Sequence, residues 1–139
     1  MLGREYLDLA REILPGGTEK HWRGVSGRAY YAVFLEARDA LARWGFVPTR
    51  ADSVHYFVRS RFNVPAHADL RNIGDVLDAL HRLRNKADYD LSALTVFKSA
   101  TAAQDAIDTA TDAIDLLDVI EADPARLAAA VAAIRAAFP

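Results

Sequence analysis

The sequence predicts an all-α protein, an up-down helical bundle of four to five main helices formed by one domain over residues 1–139. Two observations lead to this prediction. Apolar residues recur every three or four positions in each long segment, whereas no segment alternates apolar and polar residues as a half-buried strand does. Proline and glycine stand between these segments, where they end helices. The 52% hydrophobic content suits a single globular domain of this length.

The first two helices are separated by a break at residues 15–17, which read Pro-Gly-Gly. A short first helix is predicted from the spacing of Leu2, Tyr6, Leu9 and Ile13. Thr18 is a favourable N-cap for the second helix, which is predicted to run to Trp44. The apolar stripe of this second helix consists of Tyr30, Phe34, Ala37, Leu41 and Trp44.

Two further helices are predicted after a turn at residues 45–49. The third helix covers roughly residues 50–61, with Val54, Phe57 and Val58 facing inward. A loop around Pro65 leads to the fourth helix, which is predicted from about Asp69 to Ala87. The fourth helix has an apolar stripe made of Leu70, Ile73, Leu77 and Leu80.

The last third of the chain predicts two more helices after a connection over residues 88–95. The fifth helix is predicted from about Thr95 to Glu121, with an exposed acidic face formed by Asp105, Asp108, Asp112, Asp115 and Asp118. Asp123 and Pro124 supply an N-cap and a first-turn proline for the final helix. That helix is predicted to bury Leu127, Val131, Ile134 and Phe138.

The composition excludes several classes of protein. Without cysteine there are no disulfides and no thiolate chemistry. The sequence contains no run of about 18 apolar residues, the length needed to span a membrane. The charged N-terminus lacks the apolar region of a signal peptide, so a cytoplasmic protein is expected. Residues 1–90 carry 14 basic and 12 acidic side chains, against 3 and 7 in residues 91–139. Any contact with phosphate is therefore expected in the first two thirds of the chain.

Arg84 breaks the apolar pattern of the fourth helix. It occupies the next position of the stripe, where an apolar residue is expected. A guanidinium that faces a core or an interface needs a charged or hydrogen-bonding partner. His81 and Asp88 lie three residues before and four residues after it, on the same helix face. The pattern predicts either a functional polar cluster or an ordinary ion pair between Arg84 and Asp88.

Two stretches of the sequence resemble signatures of HEPN-domain proteins. They are SGRAYYAVFLEAR at residues 26–38 and LHRLRNKADY at residues 80–89. The resemblance covers about residues 3–121, most of the chain. It implies a helical bundle that is usually a homodimer and often a toxin or a defence ribonuclease. It also implies a possible partner, the small nucleotidyltransferase that acts as antitoxin for many members.

The resemblance assigns candidate roles within the second stretch. Catalytic HEPN members carry an arginine, a polar residue directly after it, and a histidine separated from the arginine by four to six residues. Two such motifs meet across the dimer and cleave RNA without a metal. Arg84 and Asn85 match the first two residues. The expected histidine is replaced by Tyr89, Asp90 or Leu91, so the motif is degenerate.

Two hypotheses for function follow from the resemblance and the chemistry. In the first, the protein is a non-catalytic dimeric module, associated with toxin–antitoxin or defence systems, that binds RNA, a nucleotide or a nucleotidyltransferase through residues 84–89. In the alternative, it is a metal-independent endoribonuclease that uses Arg84 with Asn85, Asp88 and Tyr89, because arginine stabilises phosphorane charge and cleavage needs proton carriers.

Further binding residues are predicted around this segment: Arg28, Tyr31, His81 and Lys86. No cofactor is expected. No metal site is expected either, because the four histidines are scattered without the spacing of metal ligands.

Overall fold

Six α-helices and no strand make up the fold, so the prediction of an all-helical bundle is confirmed. The computed structural model describes residues 1–139. The helices are α1 (Glu5–Ile13), α2 (Glu19–Arg43), α3 (Val54–Asn63), α4 (Ala68–Tyr89), α5 (Thr101–Ala122) and α6 (Pro124–Ala137). Short 3-10 turns occupy Leu14–Gly16 and Thr95–Phe97. No helix is both long enough and apolar enough to cross a membrane.

Helix α2 lies at the centre of the bundle and packs against α1, α4 and α5, with a smaller contact to α3. Residues on most sides of it are buried, as expected for a helix surrounded by others. Several of its buried positions are alanine, which allows neighbouring helices to approach closely. The largest fully buried side chains of the core include Tyr30, Leu41, Phe62, Leu77, Phe97, Leu117 and Ile134.

The sequence pattern predicts that helix α3 begins near residue 50, but it begins at Val54. The Asp52 carboxylate accepts the backbone N–H of Thr49 at 2.8 Å, which holds residues 49–52 in a turn. Ser53 then caps the helix by accepting the backbone N–H of Tyr56. Val54 is consequently 39% exposed, so the prediction that it faces inward is wrong. Phe57 and Val58 are buried as predicted.

The boundaries of α4 and α5 also differ from the predicted ones. Helix α4 continues to Tyr89, so Asp88 and Tyr89 belong to the helix and not to a connection. Helix α5 begins at Thr101 and not at Thr95, because residues 95–97 form a separate turn that buries Phe97. The five aspartates of α5 are exposed, as predicted.

The two predicted N-caps differ in what their side chains bind. Asp123 caps α6 as predicted, by accepting the backbone N–H groups of Ala125 and Arg126. Thr18 precedes α2 as predicted, but its hydroxyl is hydrogen-bonded to Nδ1 of His21 at 2.6 Å and caps no backbone group. In the first segment, Leu2 is 61% exposed and lies outside α1.

Arg4 ties the N-terminus to α2 and α5. The Glu36 carboxylate accepts three hydrogen bonds from Arg4, one from the backbone N–H and two from the guanidinium, at 2.9–3.0 Å. The guanidinium also donates to the Asp118 carboxylate of α5 at 2.8 Å and 3.1 Å. Glu36 is only 7% exposed, so this acid is one of the few buried polar residues of the core.

Helix α6 packs on α5 and is held at both ends by arginine contacts. At its start, the Arg126 guanidinium donates two hydrogen bonds of 3.1 Å to the Asp69 carboxylate of α4. After its end, the Phe138 ring and the Phe57 ring sandwich the Arg61 guanidinium, each at 3.9 Å. These contacts hold α6 against the N-terminal end of α4 and against α3.

Candidate functional site

Arg84 lies in a polar cluster between α2 and α4, with its side chain 17% exposed. Its Nη2 donates a hydrogen bond of 3.0 Å to the Tyr31 hydroxyl. Its Nε lies 2.9 Å from Asp88 Oδ2, but the N–H does not point at an acceptor, so this contact is an ion pair without a hydrogen bond. The guanidinium also lies over the rings of Tyr31 and Tyr89, 5.3 Å and 5.4 Å from their centroids.

Two histidines from different helices extend the polar cluster around Arg84. His81 lies one turn before Arg84 in α4, and His55 comes from α3. The two imidazole centroids are 6.4 Å apart, and both rings pack against Tyr30, at 5.3 Å for His81 and 5.8 Å for His55. The Tyr30 hydroxyl shares a hydrogen bond of 2.6 Å with Nδ1 of His55. Phe34 also stacks on His55, with ring centroids 4.2 Å apart.

Arg59 of α3 adds a second guanidinium. Its Nη1 lies 3.4 Å from Nδ1 of His81 and 3.6 Å from Oδ1 of Asp78. Because arginine can only donate, His81 Nδ1 accepts this long hydrogen bond and the ring proton resides on Nε2. Six residues form this arginine–histidine cluster: Tyr30, Tyr31, His55, Arg59, His81 and Arg84.

Gly74 allows α3 to bring its residues close to α4. A Cβ atom at position 74 would lie 2.8 Å from both the Cβ and the backbone N of Asn63, closer than real contacts allow. Asn63 in turn donates its amide to the Asp78 carboxylate at 3.1 Å, which orients that carboxylate beside Arg59. The close approach at Gly74 therefore helps to position the half of the cluster that α3 supplies.

Burial and positive neighbours favour neutral histidines. Burial lowers the pKa of His55 below its ordinary value of 6.5, and the charges of Arg84 and Arg59 lower it further. The pKa of His81 is lowered in the same way by burial and then by Arg59, with Asp78 opposing the shift. Burial raises the pKa of Tyr30 to about 12. At pH 7 the cluster therefore combines two charged guanidiniums with neutral imidazoles.

The cluster has more hydrogen-bond donors than acceptors. The Nε–H groups of Arg59 and Arg84 are buried without an acceptor, and the same holds for Arg28. A buried donor without a partner is uncommon and calls for an explanation. These Nε atoms have no contact with solvent, so an anion meets only the exposed part of each guanidinium, where the side chains of Arg59 and Arg84 are 25% and 17% exposed.

Several predicted site residues lie together: Arg84, Asp88, Tyr89, Tyr31 and His81. The side chains of Asn85 and Arg28 make no hydrogen bond or ion pair. Lys86 lines a groove between α4 and α5 with Arg82, which places it on another face of α4. These three residues are therefore not part of the cluster in a single chain.

His55 and Arg59 are site residues that the sequence pattern does not reveal. They lie four residues apart on α3, so helical spacing puts them on one face. Spacing within one helix does not tell which neighbour that face meets, and the contact with α4 is therefore not predicted. Tyr30 stands out in the sequence only as an aromatic residue of the α2 stripe.

Arg23 holds the end of α4 that carries residues 84–89. Its Nη1 donates to the backbone carbonyls of Lys86, Ala87 and Asp90 at 2.7–3.1 Å, and its Nη2 donates to the carbonyl of Ser92 at 3.0 Å. The guanidinium stacks on Phe97 at 4.5 Å. The Ala87 carbonyl is one that a helix leaves free at its C-terminus, and the carbonyls of Asp90 and Ser92 tie the chain after α4 to Arg23.

The arginine–histidine cluster is an open patch in a single chain. None of the five surface cavities is lined by its residues. No group of three or more histidine, aspartate or glutamate side chains is arranged to hold a metal ion. Tyr30 is fully buried and the other five residues are partly exposed, so a ligand from solvent meets only those five.

Comparison with protein-family models, with curated proteins and with solved structures finds no match. The resemblance to HEPN proteins therefore stays a prediction, and inference about function depends on the geometry of the site.

Proposed function

We propose that the protein binds RNA by holding a backbone phosphate in the arginine–histidine cluster. The observation that carries the proposal is that two arginines, Arg59 and Arg84, both lie near His55 and His81 and keep 25% and 17% of their side chains exposed. Phosphate oxygens accept several hydrogen bonds and match the planar fork of arginine. The resemblance to HEPN proteins favours RNA among the possible phosphate ligands.

RNA binding is expected to be measurable without any divalent metal. A short single-stranded RNA in the presence of EDTA should bind with a Kd of about 1–100 μM and lose affinity as salt rises, because cations of the protein replace condensed counterions. Fluorescence anisotropy over a series of salt concentrations measures both quantities. Arg135→Ala is the matched control, since Arg135 is an exposed cation of α6 outside the cluster. Absence of binding at low salt would refute the proposal.

Cleavage of the bound RNA is a second candidate function, favoured by the two imidazoles 6.4 Å apart. One neutral histidine accepts the proton of the ribose 2'-hydroxyl while that oxygen attacks phosphorus. A protonated histidine gives its proton to the departing 5'-oxygen, which leaves a 2',3'-cyclic phosphate and a 5'-hydroxyl. Arg84 stabilises the charge on the phosphorane oxygens. His55 and His81 thus take the proton transfers that the resemblance would leave to Asp88 and Tyr89.

The pH profile tests this candidate. Because both histidine pKa values lie below 6.5, the rate of cleavage is expected to peak on the acidic side of 6.5 and to fall towards neutrality. His55→Gln and His81→Gln should each lower the rate about 100-fold or more and remove one limb of the profile. Tyr89→Phe keeps the ring and should retain the rate. An RNA left intact at every pH, or a greater loss with Tyr89→Phe than with either histidine variant, excludes histidine catalysis.

We further propose that two copies of the chain meet beside the cluster, with a small nucleotidyltransferase as partner in a toxin–antitoxin or defence system. Leu91 supports this proposal, because it is 80% exposed just after the end of the helix that carries Arg84 and offers apolar surface to another chain. Light scattering that gives the mass of one chain at micromolar concentration would contradict the dimer. A neighbouring reading frame without a nucleotidyltransferase would weigh against the partner. A cytoplasmic location stays a prediction.

A further inference from the structure

Two tyrosines, Tyr56 and Tyr89, differ from every other aromatic residue of the chain in being strongly exposed. Tyr56 is 64% exposed and Tyr89 is 73% exposed, whereas the remaining tyrosine, phenylalanine and tryptophan side chains are buried or partly buried. Neither phenol hydroxyl has a hydrogen-bond partner in the protein. Both rings therefore present apolar surface to solvent, and the Tyr89 ring in addition lies against the Arg84 guanidinium.

Each exposed tyrosine stands beside one arginine of the arginine–histidine cluster. The Arg84 guanidinium lies 5.4 Å from the centroid of the Tyr89 ring. Tyr56 directly follows His55 and precedes Arg59 by three residues on α3, which makes Tyr56 and Arg59 neighbours on the helix surface. The two tyrosines come from different helices, and the cluster is formed where those helices meet.

We propose that Tyr56 and Tyr89 are stacking platforms for unpaired bases on either side of the phosphate held by the cluster, an inference that rests on the proposed RNA binding. An aromatic ring beside a guanidinium suits a nucleotide, because the base stacks on the ring while the phosphate contacts the cation. Bases in a duplex are stacked on one another and are not free to do so. The site therefore selects single-stranded RNA.

The neighbouring tyrosines of α2 do not fit this role. Tyr30 is fully buried and hydrogen-bonded to His55. Tyr31 is partly buried, and its hydroxyl accepts a hydrogen bond from Arg84. A base has no access to the ring of Tyr30, and Tyr31 serves to orient Arg84. The exposed rings at positions 56 and 89 remain as the surfaces on which a base stacks.

Binding of three probes distinguishes stacking from attraction by charge alone. The probes are a short single-stranded RNA, the duplex of the same sequence, and an abasic strand of the same length that keeps the phosphates. The wild-type protein is expected to prefer the intact single strand. Tyr56→Leu and Tyr89→Leu should each weaken binding of that strand by about 5- to 100-fold and leave binding of the abasic strand unchanged. Tyr56→Phe and Tyr89→Phe keep the ring and should bind as the wild type does.

The outcomes separate this inference from the proposed function. If the wild type binds none of the probes, RNA binding itself fails. If it binds the intact and abasic strands equally well and the leucine variants match it, RNA binding stands and stacking is refuted. A leucine variant that loses affinity for both strands by the same factor also refutes stacking, because the change then acts on the phosphate site.

Discussion

Replacing Arg84 by alanine is expected to weaken RNA binding about 30- to 100-fold, equivalent to roughly 2–3 kcal/mol. The guanidinium is 17% exposed and oriented by Tyr31 and Asp88, so it meets a phosphate with little loss of side-chain entropy. Arg84→Lys keeps the charge without the planar fork and should fall between the wild type and alanine. If the RNA is cleaved, the rate should fall about 100- to 1000-fold in the alanine variant. Anisotropy and single-turnover cleavage measure the two effects.

Two controls isolate the role of Arg84. Arg135→Ala removes an exposed cation outside the cluster and should change the Kd by less than about twofold. The double variant Arg84→Ala with Asp88→Ala removes the carboxylate that would otherwise be left to repel the phosphate, and it should remain weak. Recovery of wild-type affinity in the double variant would mean that Arg84 only neutralises Asp88.

Glu36→Ala is expected to lower the free energy of unfolding by about 2–4 kcal/mol, the largest loss of stability among these variants. The Glu36 carboxylate is 7% exposed and accepts three hydrogen bonds from Arg4, all of which disappear. The substitution also leaves a space between the N-terminus and α2. Urea denaturation of the wild type and the variant measures the difference.

Asp118→Ala is the matched control for Glu36, because Asp118 pairs with the same arginine but is 48% exposed. Asp118→Ala should lower the free energy of unfolding by less than about 1 kcal/mol.

The stabilising effect of Glu36 also depends on pH. Burial raises the pKa of Glu36, but the hydrogen bonds and charge of Arg4 lower it more, so the folded-state pKa lies below the ordinary 4.5. Its contribution is therefore complete above pH 4.5 and lost as the pH falls through the folded-state value. If Glu36→Ala and Asp118→Ala lowered the free energy of unfolding equally, the larger contribution assigned to the buried Glu36 would be contradicted.

Helical spacing predicts the existence of the elements, because apolar residues recur at helical spacing in each of them, although the central helix α2 is buried on most sides. It fails where local polar contacts decide a boundary. The turn closed by Asp52 delays α3 to Val54, and the burial of Phe97 separates residues 95–97 from α5. Such contacts involve single side chains, and periodicity averages over them.

The site is predictable only where it follows one helix. Arg84, His81 and Asp88 share a face of α4 and are visible in the sequence as a break in its stripe. His55 and Arg59 reach them from α3, and nothing in the spacing of either helix specifies that the two faces meet. The role of Glu36 escapes prediction for the same reason, since its partner Arg4 is 32 residues away in sequence.

The arginine–histidine cluster takes its residues from α2, α3 and α4, which lie far apart in the chain. No part of it exists in the unfolded protein, so a ligand that binds there binds only the native state. RNA at about one hundred times its Kd therefore adds about 2.7 kcal/mol to the stability of the whole bundle, a rise of roughly 5–10 °C in the midpoint of thermal unfolding. Through this linkage, a thermal-shift screen of phosphate-containing ligands reports occupancy of the site whether or not the bound ligand reacts.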